Sequence, residues 1–220
     1  MAATETRDSI LNVAEELFAE RGFHGVSVRE IAERAGVRQS LIHYHFSNKE
    51  TLYAAAYARR AIPINEQRSA SLQAVENASA AAPALDDLVA AFMAPSVLSS
   101  RGRGGGAVYA RLITQLINDP QKHAQRISRS YNDPMARRML ESLRKALPQA
   151  DPVALTWGYL FAVGAMATAI EQTGRARRLY PECEPADVQQ TLKLLISFVA
   201  GGLAALAKEP GRRAARKRTV

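Results

Sequence analysis

The stretch 38–49, RQSLIHYHFSNK, gathers side chains suited to hydrogen bonding and charge rather than to bond making. Gln39 and Ser40 offer an amide and a hydroxyl, His43 and Tyr44 a ring nitrogen and a phenol. On the outward face of one helix such groups reach the edges of DNA bases in the major groove. Arg38, Tyr44, His45 and Lys49 add donors and charge for phosphate oxygens. With Ser27 and Arg29 at the head of the preceding helix, they form the candidate set for contact with double-stranded DNA. Metal chemistry is not expected, because His43 and His45 are i, i+2 on a helix and point about 200° apart. His24 and His123 stand in no ligand pattern, and no cofactor is expected. Enzyme chemistry has no foothold: GxSxG, HExxH and the dinucleotide fingerprint are absent, and Glu15 and Glu16 are neighbours that face different ways.

These side chains need elements to position them. Ser27 and Glu30 have the spacing of a capping box, so a helix starts there. Ile31, Ala32 and Ala35 give it one apolar face, Gly36 tolerates the positive φ that ends it, and Val37 plugs the turn. A second short helix is expected over 39–45. Ala32, Gly36 and Ile42 then have the spacing of a helix-turn-helix, in which a small residue allows close approach and an aliphatic one seats the second helix. Upstream, Thr4 caps a first helix running to about residue 21, with Ile10, Ala14, Leu17 and Phe18 as its buried stripe and Phe23 in the Gly22–Gly25 turn that ends it. Downstream, Ser47 and Glu50 suggest a second capping box that puts Lys49 in a first helical turn, where a cation opposes the helix dipole unless a phosphate joins it. That helix should kink or break near Pro63.

AGVRQSLIHYHFSNKETL resembles the DNA-binding domain of TetR-family transcriptional regulators over about residues 8–55. Phe46, Lys49 and Leu52 match the F-x-x-K-x-x-L opening of the family's fourth helix, and Gly36 and Val37 match the turn. The chain departs where Arg38 replaces the usual Ser or Thr cap and His43 the usual Tyr. The resemblance implies an all-α protein with an N-terminal three-helix DNA-binding domain and a C-terminal helical domain for ligand binding and dimerisation.

The 220 residues are 47% hydrophobic, enough for a packed core, and the lone Cys183 excludes a disulfide framework and suits a reducing cytoplasm. The formal net charge is +8, but residues 1–60 carry eight basic and eight acidic side chains, while 208–220 carry a net +5. The basic tail, not the helix-turn-helix, therefore supplies most of the excess, and only sequence-independent attraction to DNA is expected of it. The uncharged run 153–170 holds Thr156, Trp157, Tyr159 and Thr168 and is read as buried in protein, with no membrane partner.

Beyond Pro63 the pattern remains helical and no strand is expected. Residues 64–82 are polar and weakly patterned; Pro83 and Asp86 open a helix with Leu85, Leu88, Val89 and Phe92; SSRGRGGG at 99–106 reads as a loop. Asp119-Pro120 and Asp133-Pro134 start or interrupt further helices. Two last helices are apolar on more than one face, which a helix with one buried side does not need. Ala165, Ala169, Val188, Leu192, Leu195, Val199, Gly202 and Leu206 are the expected homodimer interface. Phe92, Tyr109, Leu112, Met139, Leu143, Trp157, Phe161 and Met166 are the expected lining for a small apolar or aromatic ligand, a pocket that the resemblance implies and composition permits. The expected organisation is a reading domain over 1–48, a regulatory and dimerisation domain over 49–208, and a basic tail over 209–220. The favoured function is a dimeric repressor released from a pseudo-palindromic operator by an apolar ligand. The alternatives are a regulator with no small-molecule ligand and an enzyme with an accessory helix-turn-helix.

Overall fold

The computed structural model describes residues 3–79, 82–100, 106–171, 174–183 and 187–208, and the regular elements among them are all helical. The basic tail and most of the glycine-rich loop lie outside the described residues. In chain order the helices are α1 (Ala3–Arg21), α2 (Val28–Ala35), α3 (Gln39–Phe46), α4 (Lys49–Ala78), α5 (Leu85–Ser99), α6 (Gly106–Asn118), α7 (Lys122–Ile127), α8 (Asp133–Ala146), α9 (Pro152–Glu171), α10 (Arg175–Leu179) and α11 (Val188–Leu206).

The expected stripe of α1 is the centre of the N-terminal packing, with Ile10, Ala14, Leu17 and Phe18 all fully buried. It packs on α2, α4 and α6. Glu15, almost wholly buried, is held in ion pairs by Arg59 at 2.8 Å and Arg60 at 2.6 Å, both from α4. A buried carboxylate is tolerated only when it is paired in this way, so α1 is keyed to α4 at one register.

α4 runs unbroken through Pro63 for 30 residues, so of the expected kink or break there is no break. Proline there removes one intrahelical N–H and crowds the preceding turn. Packing on α1, α5, α6 and α8 holds the helix in place. From α7 to α8 the chain stays helical through a π-helical stretch, Ser128–Asn132, placed just before Asp133-Pro134. The expected interruption is therefore a change of helical pitch. That change turns Tyr131 and Asn132 toward α4: Asn65 Nδ2 donates to Tyr131 O at 2.7 Å, and the buried Tyr57 hydroxyl donates to Asn132 Oδ1 at 2.7 Å. Burial pushes the Tyr57 phenol well above its usual pKa.

α9 and α11 lie against each other and against α5. Gly158 permits this approach, since a Cβ there would stand 2.7 Å from Leu203 Cδ2. Both helices are long and apolar enough to cross a membrane by length and composition, yet only 33% and 28% of their apolar windows are buried within the chain.

Candidate nucleic-acid interface

Ser27, in extended backbone at φ −105°, accepts from Glu30 N at 3.1 Å and starts α2 as expected. The reciprocal arm of the box is absent, because the Glu30 carboxylate turns instead to Arg21 at the end of α1. An ion pair to a neighbouring helix has replaced a local bond, which fixes α2 relative to α1. Gly36 stands at φ +67°, and Val37 N donates to Ala32 O at 3.0 Å, closing the helix as a six-residue Schellman turn. A Cβ at Gly36 would meet nothing within 4 Å, so glycine is required for the backbone angle alone.

Arg38 precedes α3 in extended backbone at ψ 141°, with no side-chain cap. First-turn N–H groups of α3 are therefore left as donors for solvent or a phosphate. Ile42 and Phe46 seat the helix in the core, while Arg38, Gln39, Ser40, His43 and Tyr44 are exposed, Tyr44 by 80%. Arg29 is also exposed and donates to Glu33 at 2.8 Å, which raises its pKa. His45 is half-buried, edge-on to Tyr44 at 5.1 Å.

His43 Nδ1 lies 3.1 Å from Ser47 O, and its Nε2 lies 3.4 Å from Gln39 Nε2. The carbonyl can only accept, so Nδ1 carries the proton, Nε2 accepts from the Gln39 amide nitrogen, and Gln39 Oε1 is turned away from the ring. The histidine that departs from the family pattern thus orients the amide at the leading end of α3. Ser47 is the one non-glycine residue at positive φ among the described residues, at φ 60°, ψ −53°. Asn48 N donates across it to Phe46 O at 2.6 Å. This is a γ-turn of the rare, strained hand. It turns the chain from α3 into α4, braced by the bond from His43.

The expected capping box at Ser47 and Glu50 is displaced by one residue. Asn48 Oδ1 accepts from Thr51 N at 2.9 Å, and Thr51 Oγ1 accepts from Asn48 N at 3.2 Å. Ser47 cannot cap because it is occupied in the turn, and Glu50 is engaged with Arg126 of α7. Lys49 is then the first residue of α4, with Nζ 4.4 Å from the centre of the Phe23 ring. Partial burial lowers its pKa.

A short capped helix, a left-handed glycine turn and an exposed polar helix, packed on a third helix and leading into a fourth, make a helix-turn-helix reading head. Residues 10–56 match the family described as bacterial regulatory proteins, tetR family, and residues 90–202, just over half of the chain, match the tetracyclin repressor-like C-terminal domain. The chain belongs to the TetR family.

Among curated TetR-like relatives, the transcriptional activator FasR of Mycolicibacterium smegmatis is 44% identical over 55 residues, 25% of each chain. The transcriptional repressor BepR of Brucella suis is 39% identical over 64 residues, 29% of this chain and 31% of its own. These matches therefore span about a quarter to a third of the relatives' length. The fold extends further. A TetR-like regulator from Rhodococcus sp. RHA1 superposes with TM-score 0.62 at 17% identity, covering 90% of this chain and 96% of that one. HlyIIR, a hemolysin II transcriptional regulator, does so with TM-score 0.62 at 17% identity, covering 94% and 100%.

In the C-terminal part of this TetR-family chain, Phe92 and Met166 of the expected ligand set line a cavity of about 320 Å³ between α4, α5, α6, α8 and α9. Tyr109, Leu112, Met139 and Leu143 are buried core. Trp157 and Phe161 do not line this cavity: they are 55% and 63% exposed on the outer face of α9, rings 5.8 Å apart. The residues expected at the interface divide between the chain's interior and its surface. Leu192, Leu195 and Val199 are buried within the chain, on the side of α11 that packs on α5 and α9. Val188, Ala165, Ala169 and Leu206 are half-buried, and Gly202 is exposed. The outward apolar face consists instead of Val153, Trp157, Leu160 and Phe161 of α9 with Leu194 and Phe198 of α11.

Sequence reasoning missed Arg68. Its side chain enters the cavity's wall with the residue only 4% exposed, stacked 4.3 Å over the Phe92 ring. It donates to Phe92 O at 2.8 Å, Ser96 Oγ at 2.7 Å, Asn65 Oδ1 at 3.1 Å and Met166 Sδ at 3.4 Å. Among the described residues no carboxylate lies in ion-pair range of it. Tyr159, whose phenol burial pushes up to about 12, lines the same cavity.

Proposed function

We propose that this TetR-family protein is a cytoplasmic homodimer that represses transcription from a pseudo-palindromic operator and is released by a small ligand, apolar or aromatic in body and anionic at one end. The single observation carrying the reading is α4. One helix begins at Lys49 beside the reading helix and carries Arg68, a buried cation with no carboxylate in ion-pair range among the described residues, into the wall of a largely apolar cavity that Asp133 also lines. Desolvating a charge is expensive unless an opposite charge joins it. A ligand carboxylate would supply that charge, and any shift of α4 that it favours is felt at the DNA end. The reading differs from an all-apolar ligand by this one handle.

In the dimer, the regulatory part over 49–208 pairs through the outer face of α9 and α11 and the reading part over 1–48 takes one half-site per protomer. Support for that pairing comes from the exposed aromatic row and from Gly164, Gly201 and Gly202, where a Cβ would meet nothing within 4 Å. Among the described residues nothing fills the space a side chain would take at these glycines, and small residues let a partner helix approach closely. A groove of about 470 Å³ between Phe161 and Phe198 gives the partner's rings a seat. Regulation, not catalysis, is the function.

The test is a thermal-shift and operator-release screen of matched pairs, alkanoates and aryl-alkanoates against their primary amides. Acids that stabilise the protein and release operator while their amides do neither support the reading. Amides as effective as acids would remove the anionic end from it.

A further inference from the structure

Three ligand-type side chains from distant parts of the chain meet where the reading head touches the body. His24 lies in the turn after α1, Asp119 between α6 and α7, and His123 in the first turn of α7. One ligand atom of each lies within 4.8 Å of the other two. The two segments are docked by Gln115 of α6, whose Nε2 donates to Ala19 O of α1 at 3.0 Å.

His123 is the telling member. Its side chain is 7% exposed, and Nε2 is buried with no hydrogen-bond partner among the described residues although Asp119 Oδ2 is 3.1 Å away. A buried polar atom left unbonded costs about 1–3 kcal/mol. Two ligand atoms of one ion, each about 2.0–2.1 Å from it, stand about 3.0–3.4 Å apart and direct their lone pairs at the ion, not at each other. The separation between His123 and Asp119, close but misaligned for a hydrogen bond, fits one edge of such a polyhedron. The His123 ring is held by Phe23, stacked at 3.9 Å, and by the edge of Tyr53 at 5.9 Å. His24 is exposed and already edge-on to His123 at 5.6 Å, so a rotation of its side chain brings its nitrogen in.

We propose that His24, Asp119 and His123 bind one divalent transition-metal ion of the zinc class, stapling the reading head to the regulatory body. Two imidazoles and one carboxylate suit Zn²⁺, Co²⁺ or Ni²⁺, whereas Mg²⁺ and Ca²⁺ prefer oxygen-only sets. A fourth position stays open to water. The effect reaches DNA through Phe23, whose ring carries both His123 and the ammonium of Lys49. Fixing both histidines around an ion fixes Phe23, and with it the resting position of Lys49. The site is separate from the cavity at Arg68 and stands whether or not a ligand binds there.

The experiment strips the full-length protein with chelator and titrates it with Co²⁺ alone, then displaces Co²⁺ with Zn²⁺. One Co²⁺ per chain with visible d–d bands is expected. His24→Gln and Asp119→Asn, which keep the buried ring in place, should each weaken binding by more than the roughly 10–100-fold that loss of a supporting shell residue brings. Cys183→Ser and His43→Gln should bind like the parent, with circular dichroism unchanged throughout. Absence of saturable one-to-one binding, or unaltered affinity in both His24→Gln and Asp119→Asn, overturns the site. In the same samples Zn²⁺ should change operator affinity by about tenfold in the parent and not in Asp119→Asn; operator binding indifferent to Zn²⁺ overturns the staple.

Discussion

Replacing Arg68 with Met keeps the length of the side chain and removes its charge, and the consequences for stability and for ligand should part company. Stability involves two opposed terms. The guanidinium's three bonds to oxygen, to Phe92 O, Ser96 Oγ and Asn65 Oδ1, are worth about 0.5–1.5 kcal/mol each, so about 1.5–4.5 kcal/mol is lost. Against this, the cation is 4% exposed with no carboxylate in ion-pair range among the described residues, and relieving its desolvation returns several kcal/mol. The terms are similar in size, so the unliganded variant should unfold within about 2 kcal/mol of the parent in a urea titration. Ligand affinity has only one side. A charge-assisted bond contributes about 1.5–3 kcal/mol, so carboxylate ligands should bind Arg68→Met about 10- to 150-fold more weakly, read by calorimetry, with their amides little changed. A variant destabilised by more than about 3 kcal/mol that loses acid and amide affinity equally would show Arg68 to be a strut for the α5 carbonyl, and the reasoning would fail.

Phe198→Glu places a carboxylate on an aromatic that is 73% exposed in the single chain, so the fold should survive while the dimer dissociates at micromolar concentration. Sedimentation showing an intact dimer would move the interface elsewhere; the same change at Leu195 or Val199, both buried in the chain, would confound dissociation with unfolding. Glu76, at the far end of α4, is held by Arg138, Ser142 and Lys145 of α8, and chiefly the Arg138 hydrogen bonds lower its pKa from 4.5 to about 2. A depressed carboxylate stabilises the fold above its unfolded pKa and loses that contribution as pH falls from about 4.5 toward 2, so Glu76→Gln should flatten this part of the stability profile. Parallel profiles for parent and variant would contradict the assignment.

Residues whose role is fixed by local backbone physics were readable in the sequence: the Ser27 cap, the Gly36 turn and the 3.6-residue stripe of α1. Where two solutions were locally equivalent, tertiary contacts chose. Ser47 and Asn48 are both good caps, and the turn out of α3 took the first and left the second. Glu30 could serve its own helix or Arg21, and served Arg21. Pro63 announces a kink or a break, and packing on four helices keeps the helix continuous. The outer helices hide their orientation for a different reason: α9 and α11 are apolar around most of their circumference, so periodicity cannot say which side meets α5 and which faces outward. Trp157 and Phe161, expected inside, therefore face outward, and Leu195 and Val199, expected at a surface, are buried. Arg68 looks like any solvated charge in a polar helical run, and only the approach of α5 and α9 buries it. His24, Asp119 and His123 come from two turns that nothing local connects.

The division of labour within the reading head is tested most directly by titrating Gln39→Ala and Lys49→Ala against operator and its single-base variants at several salt concentrations. We propose that Gln39, its amide oriented by His43, reads a base edge, so Gln39→Ala should lose about 1–3 kcal/mol on operator and relax preference at one position per half-site, with the salt slope nearly unchanged. In the same proposal Lys49 leaves the Phe23 ring for a phosphate, so Lys49→Ala should weaken all sequences alike and reduce the salt slope by about one per half-site. Uniform loss of affinity for Gln39→Ala, or altered base preference for Lys49→Ala, would contradict the account.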